Sequence, residues 1–389
     1  MEGDNGNGNS DHPSFSLPVD SDHKATQLRL FSISPPHMRS FHLAWISLFT
    51  CFLATFSTPP LLPIIRQDLN LTDADIGRAG IASVSGAIFS RMLMGVACDL
   101  IGPRIASATV CLLVAPIVCA TSIASSAATF ILFRFLVGIS IANFVANQYW
   151  VSSMFSSNVV GIANGIAAGW ANVGSGAAQL LMPLVYSFIC GLGVKPFTAW
   201  RVAFFIPALL QALAAIMVLV FGQDLPDGNF GELRVSGEKP KEDFSSVLHG
   251  LKNYRGWILG LVYGYCFGVE LTLNNVIAQY FYDRFGLGIE MAGTIAACFG
   301  LANLVSRPSG GMISDAMGER FGIRGRLWCL WAAQAAAGTL CVLLGRLNAL
   351  GSSVAVMVAF SFFVQAASGM TFGIVPFVST RLVTYLLLL

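Results

Sequence analysis

Residues 90–104 read SRMLMGVACDLIGPR, and residues 306–320 read SRPSGGMISDAMGER. Both fit S-R-x-x-x-G-x-x-x-D-x-x-G-x-R, and the copies start 216 residues apart. One pattern met twice at that distance marks a chain built from two homologous halves. Each copy ends in polar residues suited to a short loop at a water interface. Each begins with an arginine inside an apolar run. On a helix Arg91 lies eight residues, or about 12 Å, before Asp99, which carries it toward the middle of a bilayer. Arg307 stands at the same depth before Asp315.

Composition fixes the class. The 389 residues are 55% hydrophobic and only 11% charged, against about 25% charged in soluble domains. Apolar runs of about 20 residues recur along the chain, the length that crosses a hydrocarbon core. The expectation is an all-α membrane protein with about ten transmembrane helices in two pseudo-symmetric halves. The nine cysteines are scattered through apolar runs and suit packing rather than disulfides or a metal. No motif calls for a cofactor, a nucleotide or a catalytic triad, so an enzyme is not indicated. A net charge of +2 gives no basic footprint for nucleic acid.

Ten spans are expected at roughly 42–65, 77–98, 104–124, 128–151, 160–188, 200–221, 256–280, 290–313, 326–345 and 352–378. Residues 1–40 are polar at their start and read as a disordered cytosolic tail. Residues 41–221 form a six-span half, 222–255 a cytosolic central loop, and 256–389 a second half with four spans. With the N-terminus inside, the cytosolic segments hold 13 Lys and Arg residues against 6 on the other side, as the positive-inside rule favours. Arg91, Arg134 and Arg307 remain within the membrane. With the two copies in register, spans 7–10 match spans 1–4. That symmetry asks for a six-span second half where four are counted.

Several residues stand out against the apolar background. A buried arginine is costly unless it faces a wet or paired interior. Arg91 and Arg307 are each open to a structural reading, satisfied by carbonyls or an acid. At matched depth they also read as a pair of cations that repel unless an anion lies between them. Glu270 is the one carboxylate well inside a span, and reads either as a structural ion pair or as a proton-coupling group. Arg134 reads as structural or as part of proton coupling. Gly161, Gly165, Gly169, Gly174 and Gly176 bare one face of the fifth span for close packing. Tyr149, Trp150, Trp170, Tyr263, Tyr265 and Phe267 lie near the expected cavity, where only one or two are expected to take part; Tyr263 and Phe267 are the candidates. Asn274 and Asn275 read as path lining or polar packing. Asn70-Leu71-Thr72 is a glycosylation sequon, while Thr72 and Asp75 fit a helix-start capping box.

The loop pattern, Gly95, Asp99, Gly102 and Arg104 with Gly311, Asp315, Gly318 and Arg320, resembles the gate motif of the major facilitator superfamily. Arg134 in FILFRFLVG resembles an arginine common in its fourth span. More specific are FVANQYWVSSMF, NGIAAGWANVGSG, FGQDLPDGNF, YGYCFGVELT and ASGMTFGIVPFVS. From about residue 36 to about 380 the chain is similar to the plant-type high-affinity nitrate transporters, and closest in detail to their vacuolar branch. The resemblance implies nitrate as substrate, Arg91 and Arg307 as its ligands, and the fifth span as a nitrate signature in which Asn172 donates an amide hydrogen bond. Guanidinium is planar and donates paired hydrogen bonds, which suits a flat monovalent oxyanion. It further implies proton symport by alternating access, a single-span accessory subunit, and a plasma or vacuolar membrane. Exchange of nitrate for nitrite, or another small anion, is the alternative. The family carries twelve spans. Against that count the chain reads as stopping after the tenth, so a weakly active, non-transporting or modulatory form is a third expectation.

Overall fold

The computed structural model describes residues 15–156, 158–235 and 254–378. Among them the structure is helical, with three isolated β-bridges and no named strand. Eight segments are long and apolar enough to cross a membrane. Six form the first half: His37–Leu69, Asp73–Ile101, Pro103–Ile123, Ala127–Met154, Val160–Gly191 and Pro196–Phe221. A 32-residue helix, Tyr254–Phe285, opens the second half. It is followed by Ile289–Arg346, 58 residues long, and Leu350–Val378.

A straight helix of that length would run about 87 Å, nearly three hydrocarbon cores. The chain instead reverses at Gly322, whose φ of 65° and ψ of −153° suit a residue without a Cβ. Arg326 then reaches back to Asp315. The described residues therefore make ten helical passes, at the positions the apolar runs indicate.

Local chemistry sets the boundaries. Thr72 and Asp75 form the expected capping box, with Thr72 Oγ1 accepting from the Asp75 N–H and Asp75 accepting from the Thr72 N–H. Ser126 and Thr129 cap the fourth span in the same way. Gly102 ends the second span at φ 84°, and Pro103 starts the third.

The tail departs from the expectation over part of its length. Residues 1–14 lie outside the described residues, but the stretch from Phe15 is packed. Leu17 and Ala25 are buried, the Ala25 N–H donates to Met154 O, and the Ser156 N–H donates to Ala25 O. His37 bonds the His23 carbonyl. Leu17 and Ala25 bury themselves against Met38 and Phe41 at the start of the first span and Met154 and Phe155 at the end of the fourth. The central segment is likewise ordered from Gly222 to Val235, while 236–253 lie outside the described residues.

The halves meet along the fifth and eighth spans. A Cβ on Gly300 would strike Gly176 N and Cα, and one on Gly293 would strike Gln179 O and Pro183 Cγ. Backbone touches backbone there, which is how helices gain packing energy without a hydrophobic driving force. Gly174 packs on Phe49 of the first span, and Gly169 on Asn303 O and Arg307 Cβ. Gly161 and Gly165, expected in the same packed face, have open space beside them. The fifth span is thus clamped at its middle and far end and free at its start. Among the described residues the second half does not reach Gly161 or Gly165. Outward, Leu93, Trp328 and Trp331 are more than 70% exposed, a surface that fits hydrocarbon.

Candidate functional site

Arg91 and Arg307 converge on one ring. The Arg91 guanidinium carbon lies 4.7 Å from the Phe267 centroid and that of Arg307 lies 5.5 Å from it. The two cations are therefore no more than about 10 Å apart, the sum of distances at which each attracts the ring face. Phe144 takes Arg91 from a second side at 5.2 Å. Tyr263 stacks on Phe267 with centroids 5.6 Å apart and planes 7° apart, and Phe372 sits 5.5 Å from Tyr263.

The arginines differ in their partners. Arg307 donates through Nη2 to Glu270 Oε2 at 2.6 Å and through Nε to Asn303 Oδ1 at 2.6 Å. Asn303 Nδ2 donates to Glu270 Oε1 at 2.8 Å. Both charged side chains are fully buried. Glu270 is ion-paired, and its partner is Arg307. Arg91 has no carboxylate among the described residues, and its Nε and Nη2 are buried without hydrogen-bond partners. Arg307 also interacts with the Tyr263 hydroxyl. The two arginines and Glu270 leave one net positive charge, with two partnerless N–H groups on Arg91, in an aromatic cage. That combination suits one small monovalent anion.

Other expected residues fall in different places. Asn172 shares a face with Gly169 and is buried, but it donates to Ala168 O at 2.7 Å, so one amide hydrogen is spent on its own helix. Among the described residues Arg134 meets no acid. It donates to Thr55 O at 2.8 Å and to Asn275 Oδ1 at 2.6 Å. Trp150 bonds Gln223 O, Trp170 packs on Trp45 and Phe41, and Tyr265 is 62% exposed. None of these three is part of the cage. Asn274 gives its carbonyl to Gln179.

Sequence reading misses Asn303, Phe144 and Phe372. Asn303 is detectable in hindsight, as a polar residue four positions before Arg307 on one helix face. The two phenylalanines carry no signal that separates them from the other aromatics.

Residues 44–385 match the model of the Major Facilitator Superfamily. The chain is 60% identical over 371 residues to the high-affinity nitrate transporter 2.3 of Oryza sativa subsp. japonica, covering 95% of this chain and 72% of that protein. It is 58% identical to the high affinity nitrate transporter 2.7 of Arabidopsis thaliana, covering 96% and 79%. This chain belongs to the high-affinity nitrate transporter family of the major facilitator superfamily. Among solved structures, the fold matches a bacterial homolog of the human lysosomal transporter Spinster, with TM-score 0.62, 18% identity and coverage of 91% and 80%. It also matches the major facilitator transporter FucP, with TM-score 0.60, 14% identity and coverage of 90% and 87%. At such identities these two likenesses show the fold alone. The protein is a multi-pass membrane protein.

The two gate motifs of this family member are held differently. In the first, Arg104 donates its N–H to Asp224 Oδ1 at 2.9 Å and Nη1 to Gly222 O at 2.9 Å. Asp224 also accepts from the Phe230 N–H. A Cβ on Gly102 would run into Asp224 Oδ1 at 2.7 Å. Gly95 is buried in the second span. In the second motif Asp315 pairs with Arg326 at 2.6 Å, and a Cβ on Gly318 would meet the Arg326 guanidinium. Arg320, the last residue of the second motif, is exposed with its guanidinium 5.4 Å from the Phe321 ring. The Gly322 turn brings the next helix back so that Arg326 arrives at Asp315 first. Gly311 has nothing within 4 Å. Each set of bonds stays within its own half.

Proposed function

We propose that this protein is a secondary active nitrate carrier, with the anion bound between Arg91 and Arg307 over Phe267. One observation carries the reading: a buried, acid-free Arg91 faces a buried Arg307 across one aromatic ring, at the interface of the halves. Nitrate brings one negative charge and three acceptor oxygens in a plane, which answers the charge and the unbonded donors. Relatives 58–60% identical over most of the chain are named high-affinity nitrate transporters, which supports this substrate. The halves rock about the contacts at Gly176 and Gly300, exposing the anion to each face in turn.

Proton coupling is assigned to Glu270. While ionised, it holds Arg307 and cancels its charge. Once protonated, it releases that charge to the anion. The linkage is reciprocal, because bound nitrate then favours the proton on Glu270 to the same degree. Proton and anion thus enter together, and dissociation of the proton restores the Glu270–Arg307 pair and weakens the anion's hold. The membrane is assigned as plasma or vacuolar, and a single-span accessory subunit is carried in the proposal by the family resemblance.

Nitrate uptake into proteoliposomes under imposed proton gradients tests the proposal. Accumulation should follow an inward proton gradient and vanish with a protonophore. Uptake that ignores the gradient but requires nitrite inside would replace symport by nitrate/nitrite exchange, with the same anion site. Absence of nitrate binding would remove the proposal altogether.

A further inference from the structure

Arg134 is a buried cation for which the proposed carrier mechanism has no use. It is 3% exposed, and no carboxylate pairs with it among the described residues. Its two bonded N–H groups go to neutral oxygens, Thr55 O and Asn275 Oδ1. An ionised group left this way is costly in a membrane interior unless an anion visits it.

Arg134 is also the one charged residue lining a mostly apolar cavity of about 580 Å³, whose polar lining comes from Thr58, Ser85, Thr272 and Asn275 and whose aromatic wall is Phe130. Thr58 follows the first helix, Ser85 lies in the first half of the second span, and Phe130 near the start of the fourth. Every one of those positions is on the side of the membrane opposite the N-terminus. Asn275 lies five residues beyond Glu270 on the seventh span, about 7.5 Å further toward that same side. The cavity therefore sits above the Arg91–Arg307 site, on the approach from the face opposite the N-terminus.

We infer that Arg134 and its cavity form a second, weaker station for a small monovalent anion, occupied in transit between the far face and the central site. The inference rests on the proposed nitrate reading for the anion's identity. One guanidinium in place of two, and no aromatic cage, makes the station weaker by about tenfold or more, or about 1.4 kcal/mol for the tenfold.

The test is equilibrium binding of labelled nitrate to the purified full chain. Asn275→Asp keeps a hydrogen-bond acceptor against Arg134 and supplies the missing counter-charge. Ser85→Phe fills the cavity from the opposite wall without touching an Arg134 contact. Two affinity classes are expected in the unaltered protein. Either variant should abolish the weaker class, and Arg91→Gln should abolish the tighter one. Persistence of the weaker class in a folded variant at either position would overturn the station, as would a single class throughout. Persistence of the tighter class in Arg91→Gln would instead overturn the central site, and so separates the two failures. If Asn275→Asp does not fold, Ser85→Phe decides.

Discussion

Arg307 Nη2 and Glu270 Oε2 are 2.6 Å apart, and neither side chain is exposed. A pair this deep is expensive to break from one end, since the survivor is left as an uncompensated charge. Glu270→Gln removes the charge but keeps a polar group for Asn303 and Arg307. We expect binding of nitrate to survive and proton-driven accumulation to fall by about tenfold or more, because the switchable counter-charge is gone. Glu270→Leu leaves Arg307 unpaired and should cost about 3–5 kcal/mol of stability. Uptake at two external pH values checks the first outcome, and thermal unfolding in detergent checks the second. Gradient-dependent uptake by Glu270→Gln would remove Glu270 from coupling.

Arg91 gives the opposite sign. It is buried without an acid or a hydrogen bond at Nε and Nη2, so it is held at a cost to the folded state. Arg91→Gln should leave the unfolding temperature unchanged or raise it, while removing nitrate binding at the central site. In the unaltered protein nitrate should protect against heat, by about 2.7 kcal/mol at one hundred times its dissociation constant. Melting curves with and without nitrate read both effects at once. A variant that melts earlier and is still protected by nitrate would contradict the assignment.

The span count, the two-half architecture and the pairing of Arg91 with Arg307 are legible in the sequence because each rests on spacing. Helical rise places both arginines at one depth, and the repeat relates them. The partner of Glu270 is not legible. A carboxylate at that depth needs a cation, but three buried arginines were available and only the tertiary fold chooses Arg307. Arg320 illustrates the same gap. Its motif position is regular, yet the Gly322 turn delivers Arg326 to Asp315 instead. Gly161 and Gly165 continue the glycine spacing of Gly169, but spacing does not say how far along a helix the neighbouring half stays in contact.

Asp224 ties the first gate motif to the segment after the sixth span. It accepts from the backbone N–H groups of Arg104 and Phe230 and is 1% exposed. Asp224→Ala should cost about 1–3 kcal/mol, because two buried N–H donors lose a charged acceptor. The expected readout is a lower melting temperature with nitrate affinity unchanged, since Asp224 does not touch the cage. An unchanged melting temperature would show that Arg104 and Phe230 find other acceptors.

Gly165 and Gly176 lie three helical turns apart on the fifth span and should respond differently to bulk. Gly176 meets the backbone of Gly300 and Leu301, so Gly176→Leu forces the halves apart and should prevent stable folding, by well over the usual 1–3 kcal/mol of overpacking. Gly165 has nothing within 4 Å, so Gly165→Leu fits this structure without strain. Alternating access requires the halves to close over that face, and there a leucine would stand in the gap. Gly165→Leu should therefore fold, melt at the normal temperature and bind nitrate, while transport falls by about tenfold or more. Labelling a cysteine introduced at Gly161 reports the opening directly: reactivity should stay high in the leucine background and drop with nitrate in its absence. Normal transport by Gly165→Leu would mean that the fifth span does not close on the eighth at this end.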